Sequence, residues 1–214
     1  MTGTFACSIV SSSLLARIAT AYGLDFVSTL TGFKWIGRLP GLSFGYEEAL
    51  GYCVDPAAVK DKDGITAALL ATELATALQA EGRTIIDVLD DLARDHGVHL
   101  TEQVSVRVSS PGRITSMLAQ LRAHPPTSLG GSAVERADDL SVGAAGLPPT
   151  DGLRYWLAGN GRLIVRPSGT EPKLKCYLEI VEPATEDLTA AKARAATRLA
   201  ALRTDLDTLL GVGA

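Results

Sequence analysis

The spacing of hydrophobic positions changes character about halfway along the chain, and the change predicts two kinds of structure. "FACSIVSSSLL" is a short β-type run that ends in a serine cluster placed to cap the helix of "SLLARIATAYG", which Gly23 stops. "LDFVSTLTG" reads as a second strand, and the Gly- and Pro-rich "FKWIGRLPGLSFGYEEALGYCVD" cannot be one regular element. "DKDGITAALLATELATALQAEGR" predicts a helix with an acidic start, Ala67, Leu70, Leu74 and Leu78 as its apolar positions, and Gly82 at its end. "TIIDVLDDLARDHG" predicts another, with Ile86, Leu89 and Ala93 on one face. Strand, helix, strand, loop, helix, helix suits an α/β layer.

After His96-Gly97 strict alternation takes over. "EQVSVRV" places Val104, Val106 and Val108 on one face of a strand, and "GRITSMLAQLRAH" is a short helix ended by Pro125-Pro126. "SLGGSAVERADDL" and "GLRYWLAG" read as short strands, followed by "RLIVRPS". "KLKCYLEIV" alternates Leu174, Cys176, Leu178 and Ile180 against Lys173, Lys175, Tyr177 and Glu179. From Asp187 to Leu210, Leu188, Ala191, Ala195, Leu199, Leu202, Leu206 and Leu209 recur at spacings of three and four, the stripe of an amphipathic helix. Antiparallel strands covered by helices describe an α+β domain. The boundary falls near residues 97–103, giving domains at 1–100 and 101–214.

Composition narrows the function classes. The chain has 214 residues and a formal net charge of −4, with 21% charged residues, too balanced for a surface that seeks nucleic acid or membrane. Its Trp and Tyr residues are not interleaved with basic clusters, which excludes a nucleic-acid binder of the usual kind. No run approaches the roughly 20 apolar residues of a membrane span, and the N-terminus has no signal-peptide pattern. Cys7, Cys53 and Cys176 lie far apart with no Cys-x-x-Cys pair, which fits packing residues in a reducing cytoplasm rather than a zinc site or disulfide framework.

The chemistry concentrates in "RPSGTEP", Arg166 to Pro172, between two predicted strands. Pro167 fixes φ, and Gly169 is free to take a positive φ that turns successive backbone N–H groups towards one point. Ser168 and Thr170 add hydroxyls, and Arg166 adds a planar fork suited to bidentate contact with phosphate. That set matches a phosphate monoester, a dianion with three acceptor oxygens. A capped β-turn with a solvated Arg and Glu fits the same residues on chemistry alone.

"VRPSGTEPKLKCYLEI" resembles the phosphate-binding loop in the C-terminal domain of the α-D-phosphohexomutases, the phosphoglucomutase and phosphomannomutase superfamily. "TLTGFKWIG", "FGYEEALGY" and "DKDGITAALLATELA" resemble successive signatures of that superfamily's third domain, in the same order, so the likeness covers nearly the whole chain. It implies an α/β sugar-recognition domain built on a mixed sheet, then a smaller α+β domain with an antiparallel sheet covered by helices. The family interconverts sugar 1-phosphates and 6-phosphates through a sugar 1,6-bisphosphate, using a phosphoserine of its first domain and a Mg2+ held by its second. The resemblance makes Arg166, Ser168, Gly169 and Thr170 binders of the substrate phosphate, and Glu47 the reader of sugar hydroxyls. It places Lys34 near the active cleft, where a solvated surface lysine is the competing reading. Glu48 reads as a solvated carboxylate, and Lys62 as a helix-start residue. Lys173 and Lys175 would lend positive potential to the loop. Arg17, His96, His99 and His124 carry no motif and belong to surface or packing.

Two departures qualify the implied function. Ala49 stands where the commoner sugar loop has a serine, so the sugar (glucose, mannose or a pentose) is open, and a phosphopentomutase is an alternative. No "TASHNP"-like stretch for a phosphoserine and no "DGDADR"-like loop for the metal occurs in the chain. The expectation is therefore the C-terminal half of a mutase, an isomerase when complete, lacking the N-terminal domains and with an apolar face exposed on its first segment. A stand-alone, non-catalytic phosphosugar-binding module is the competing class.

Overall fold

The computed structural model describes residues 2–108, 111–144, 146–169, 171–184 and 187–211, which form two compact units, Met1–His96 and Gly97–Ala214. The first unit is built on β1 (Thr4–Ser8), α1 (Leu14–Ala21), β2 (Asp25–Thr29), α2 (Phe33–Ile36), β3 (Leu42–Glu47), β4 (Gly51–Cys53), α3 (Gly64–Ala80) and α4 (Ile85–His96). Its sheet runs β2-β1-β3-β4, with β1 parallel to both β2 and β3, and β4 antiparallel to β3. This is the mixed α/β sheet expected. The Gly- and Pro-rich stretch resolves into the single-turn α2 and the β3–β4 hairpin. Ala6, Phe33, Ile36 and Cys53 form a buried cluster beneath them, joined by Leu39 and Leu42.

The apolar positions of α3 and α4 lie largely uncovered, in keeping with the exposed apolar face expected on the first segment. Leu78 is buried, but Leu70 and Leu74 are about half exposed, and so are Ile86 and Leu89 of α4. Geometry gives the reason. Helix α3 extends over roughly 25 Å at 1.5 Å per residue, whereas the edge strand β4 offers roughly 10 Å. The helix starts cleanly because Asp63 caps it, accepting from the Ile65 N–H at 2.9 Å and the Thr66 hydroxyl at 2.8 Å.

The second unit contains β5 (Val98–Arg107), α5 (Pro111–Ala123), β6 (Ser128–Leu129), β7 (Ser132–Asp139), β8 (Leu153–Leu157), β9 (Gly161–Pro167), β10 (Lys173–Glu182) and α6 (Leu188–Leu210). Its strands lie in the order β5-β10-β9-β8-β7-β6, every neighbouring pair antiparallel. Helix α6 buries Ala191, Ala195, Leu199, Leu202 and Leu206, and packs on β10 and β5, whose Cys176, Leu178, Ile180, Val104 and Val106 are buried. Asp187 caps α6 and Gly211 closes it in the left-handed conformation. Ion pairs fasten its flank: Glu182 accepts from Arg194 at 2.8 Å and from Arg198 at 2.7 Å, while Arg203 reaches Glu102 at 2.6 Å. The other face of β10 is less polar in setting than its sequence suggests, since Tyr177 and Glu179 are buried. Among the described residues no helix is long and apolar enough to cross a membrane.

Candidate functional site

The polar loop joins β9 to β10 at one end of the antiparallel sheet. The Ser168 N–H donates to the Lys173 carbonyl at 2.8 Å and the Lys173 N–H to the Glu171 carbonyl at 2.7 Å, which closes the connection. Gly169 does not adopt a positive φ, and a Cβ there would meet nothing within 4 Å. The expected left-handed glycine is thus corrected. A two-residue hairpin requires positive φ, whereas this connection is longer and does not ask it of Gly169. The Ser168 N–H is spent on the turn, and among the described residues its hydroxyl makes no hydrogen bond. Thr170 lies outside the described residues.

Register shows what surrounds the loop. Arg166 stands directly opposite Lys175 across β9 and β10, and Lys173 stands directly opposite Arg107 across β10 and β5. Residues two apart on a strand share a face, so all four cations lie on one face at the loop end of the sheet. Arg166 is half-buried, and its guanidinium makes no hydrogen bond or ion pair among the described residues. Lys173 is partly neutralised by Glu171, 2.8 Å away, which corrects the expectation that it lends its full charge to the loop. The Lys173 hydrogen bond holds the Glu171 carboxyl below its ordinary value, with Arg107 and Lys175 adding to the pull.

Further along the same strands the pattern reverses. Arg162 stands opposite Glu179 and binds it at 2.6 Å, both side chains nearly buried, with His99 Nδ1 3.3 Å from the same carboxylate. Where an arginine serves the fold, the sheet supplies it with a carboxylate. At the loop it supplies another cation. Like charges directly opposed in a sheet are destabilising, and an oxyanion bound between them would remove the conflict.

In the first unit the loops after β1, β2 and β3 leave the carboxyl ends of parallel strands, where ligands of open α/β sheets bind. Glu47, the last residue of β3, accepts from the Gly32 N–H at 2.6 Å through Oε1. Gly32 has φ 108°, a conformation that L side chains rarely adopt, so the glycine is what lets this backbone present its N–H to Glu47. Two residues on, Lys34 is exposed, its Nζ 5.6 Å from the Trp35 ring centroid. Lys62 lies over the Phe33 ring at 5.2 Å and does not cap α3, as Asp63 does that. Ala49 and Leu50 form the exposed tip of the β3–β4 hairpin.

Glu48 is exposed, as expected of a solvated carboxylate, yet it is also anchored to the protein. Its Oε2 accepts from the Ser8 hydroxyl at 3.0 Å and the Ser11 hydroxyl at 3.3 Å, and those hydroxyls lie 2.9 Å apart. Ser8 and Ser11 are each only 1% exposed. Of the serine cluster expected to cap α1, Ser12 accepts from the Leu14 N–H, while Ser8 and Ser11 turn to Glu48. Sequence reasoning also passed over Arg107, which only strand register brings to the loop.

Other features carry less chemistry. A groove of the first unit, about 720 Å³, is lined by Arg38, Leu42, Asp55 and Lys60 among others, at the amino-terminal end of β3 and away from Glu47. All three cysteines are buried thiols, and burial pushes the Cys176 thiol up to about 12, which keeps it from acting as a nucleophile. Among the described residues no group of three or more His, Cys, Asp or Glu side chains could hold a metal ion.

Residues 1–96 match the family profile described as phosphoglucomutase/phosphomannomutase, alpha/beta/alpha domain III. Residues 126–196 match the profile of the phosphoglucomutase/phosphomannomutase C-terminal domain. A probable phosphomannomutase from Haemophilus influenzae is 45% identical over 178 residues, 83% of this chain and 36% of that protein. A phosphopentomutase from Mus musculus is 33% identical over 200 residues, 82% of this chain and 32% of that one. The chain therefore spans about a third of the length of these relatives. Among solved structures, the open form of the Paramecium phosphoglucomutase parafusin matches 98% of this chain and 38% of its own, with a TM-score of 0.68 at 18% identity. At that identity the likeness concerns the fold alone.

Proposed function

The chain belongs to the phosphoglucomutase/phosphomannomutase family, and from that premise we propose that it carries the recognition functions of a phosphosugar mutase. Its second unit grips a substrate phosphate with Arg166, Ser168, Gly169 and Thr170, aided by Lys175. Its first unit reads sugar hydroxyls with Glu47, and Lys34 adds positive charge. The single observation that carries this reading is the like-charge pairing of Arg166 with Lys175 at the loop end of a sheet that pairs Arg162 with Glu179 elsewhere.

The chemistry is coherent with phosphoryl transfer, which asks a protein for positioning and charge stabilisation more than covalent help. Holding the phosphate that is not being transferred supplies binding energy that orients the reacting end. A fork and two hydroxyls around a dianion also tolerate either phosphate of a sugar 1,6-bisphosphate in the same grip. Glu47 has Oε1 engaged by Gly32, which fixes the carboxylate and leaves Oε2 to accept from a hydroxyl. The Mg2+ implied by the resemblance finds no ligand cluster among the described residues.

A pentose phosphate is the second reading. Ala49 removes a hydroxyl from the loop, and the 33% identical mouse relative is a phosphopentomutase. Titration of the chain with glucose 1-phosphate, mannose 1-phosphate, ribose 1-phosphate and inorganic phosphate ranks the sugars and tests both assignments. Arg166→Ala should weaken every ligand by roughly 10- to 100-fold, the worth of charge-assisted hydrogen bonds. Glu47→Ala should weaken the sugar phosphates and spare inorganic phosphate. Unchanged affinity in Arg166→Ala removes the phosphate assignment, and equal losses for all ligands in Glu47→Ala remove the sugar assignment.

A further inference from the structure

Adjacent carboxylates at the end of β3 reach to different loops. Glu47 binds the Gly32 N–H in the loop after β2, and Glu48 binds the Ser8 and Ser11 hydroxyls at and just beyond the end of β1. Three loops at one edge of the sheet are thereby tied together through two consecutive residues. The serines make a built receptor for the second carboxylate. They are buried, 2.9 Å apart, and Ser8 is held in the sheet by its pairing with Thr29 of β2.

The hairpin tip has little else to hold it. Glu47 pairs with Gly51, so Glu48, Ala49 and Leu50 form the whole connection. Ala49 cannot hydrogen-bond through its side chain, and Leu50 is 82% exposed with φ 60°, the left-handed conformation that costs a non-glycine residue energy. A strained, exposed tip opens readily unless tethered, and the carboxylate of Glu48 is the side-chain tether the structure provides.

We propose that Glu48, held by Ser8 and Ser11, is a positioning residue that fixes the Glu47 carboxylate for ligand recognition. The role rests on the assignment of Glu47 to sugar recognition made above. Glu48 touches no ligand itself. It holds the backbone from which Glu47 projects, so that Glu47 meets the ligand already locked on Gly32. Glutamine in its place keeps an acceptor for both serine hydroxyls, whereas alanine removes that acceptor from the buried pair.

The test uses the full chain and two readouts. Amide hydrogen exchange at Gly32 reports the Glu47 bond without any ligand. Glu48→Ala should speed that exchange about tenfold, as expected when a local tether is lost, and Glu48→Gln should largely restore it. In titrations with glucose 1-phosphate, Glu48→Ala should lose about tenfold in affinity with inorganic phosphate unaffected, and should add nothing once Glu47 is alanine. Unchanged Gly32 exchange in Glu48→Ala overturns the positioning role. Additive losses in the double variant also overturn it, since they would make Glu48 a direct contact. If Glu47→Ala alone binds glucose 1-phosphate normally, the sugar assignment has failed first, and the role of Glu48 falls with it.

Discussion

Arg162 and Arg166 lie four residues apart on one strand, yet the structure answers them differently, one with Glu179 and one with Lys175. The difference makes a prediction at the residue scale. Lys175→Glu would convert an opposed like-charge pair into an opposite-charge pair, a change worth up to about 1 kcal/mol in favour of folding. The same change would place a carboxylate where a phosphate is proposed to sit. Denaturant unfolding should show a more stable second unit, and phosphate titration a weaker site. Loss of stability would show that Lys175 serves the fold, and undiminished phosphate binding would remove it from the grip. Gly169 teaches the complementary lesson: its residue type suggested a left-handed conformation, but Gly169 does not adopt a positive φ.

At the scale of elements, α6 and β10 are joined by apolar burial and by Glu182, whose carboxylate is held below its ordinary value of 4.5 by hydrogen bonds from Arg194 and then Arg198. A lowered folded-state value means that the unfolded chain binds the proton more tightly. The stabilisation is therefore complete above pH 4.5 and is lost as the pH falls below it, through the folded-state value. Thermal unfolding of the wild type and Glu182→Gln should differ most near neutral pH and converge in acid. A difference independent of pH would remove the ion pair as its source. Helices α3 and α6 show how far periodicity carries. The stripe of α6 is the buried face, while Leu70 and Leu74 of α3 follow the same rule and remain exposed, because the short β4 cannot cover them.

At the scale of the whole molecule, a net charge of −4 coexists with Arg107, Arg166, Lys173 and Lys175 gathered at one end of a sheet. Attraction for a phosphate is therefore local, depending on strand pairing more than on overall charge. The function proposed for these residues is recognition. Phosphorus NMR of the chain with glucose 1-phosphate, Mg2+ and a trace of glucose 1,6-bisphosphate should show line broadening and no 6-phosphate. Appearance of the 6-phosphate would mean that transfer chemistry resides in these residues. Unbroadened lines would count against the phosphate grip itself.

Sequence alone determined the features written within a few neighbouring residues. Strands β1 and β2, the strands of the antiparallel sheet, the α6 stripe and the contiguous loop from Arg166 to Pro172 are of this kind, because the periods of 2 and 3.6 and the chemistry of turns are local properties, whereas the β3–β4 hairpin lay hidden in a Gly- and Pro-rich stretch that read as a loop. The two sheet types followed from the order of those periods. Tertiary structure alone decided which residues face one another across long separations. It set Arg107 against Lys173, turned Ser8 and Ser11 towards Glu48, bound Glu47 to Gly32, and left Leu70 uncovered. Strand register and loop approach depend on contacts between distant segments, and a single sequence carries no period that encodes them.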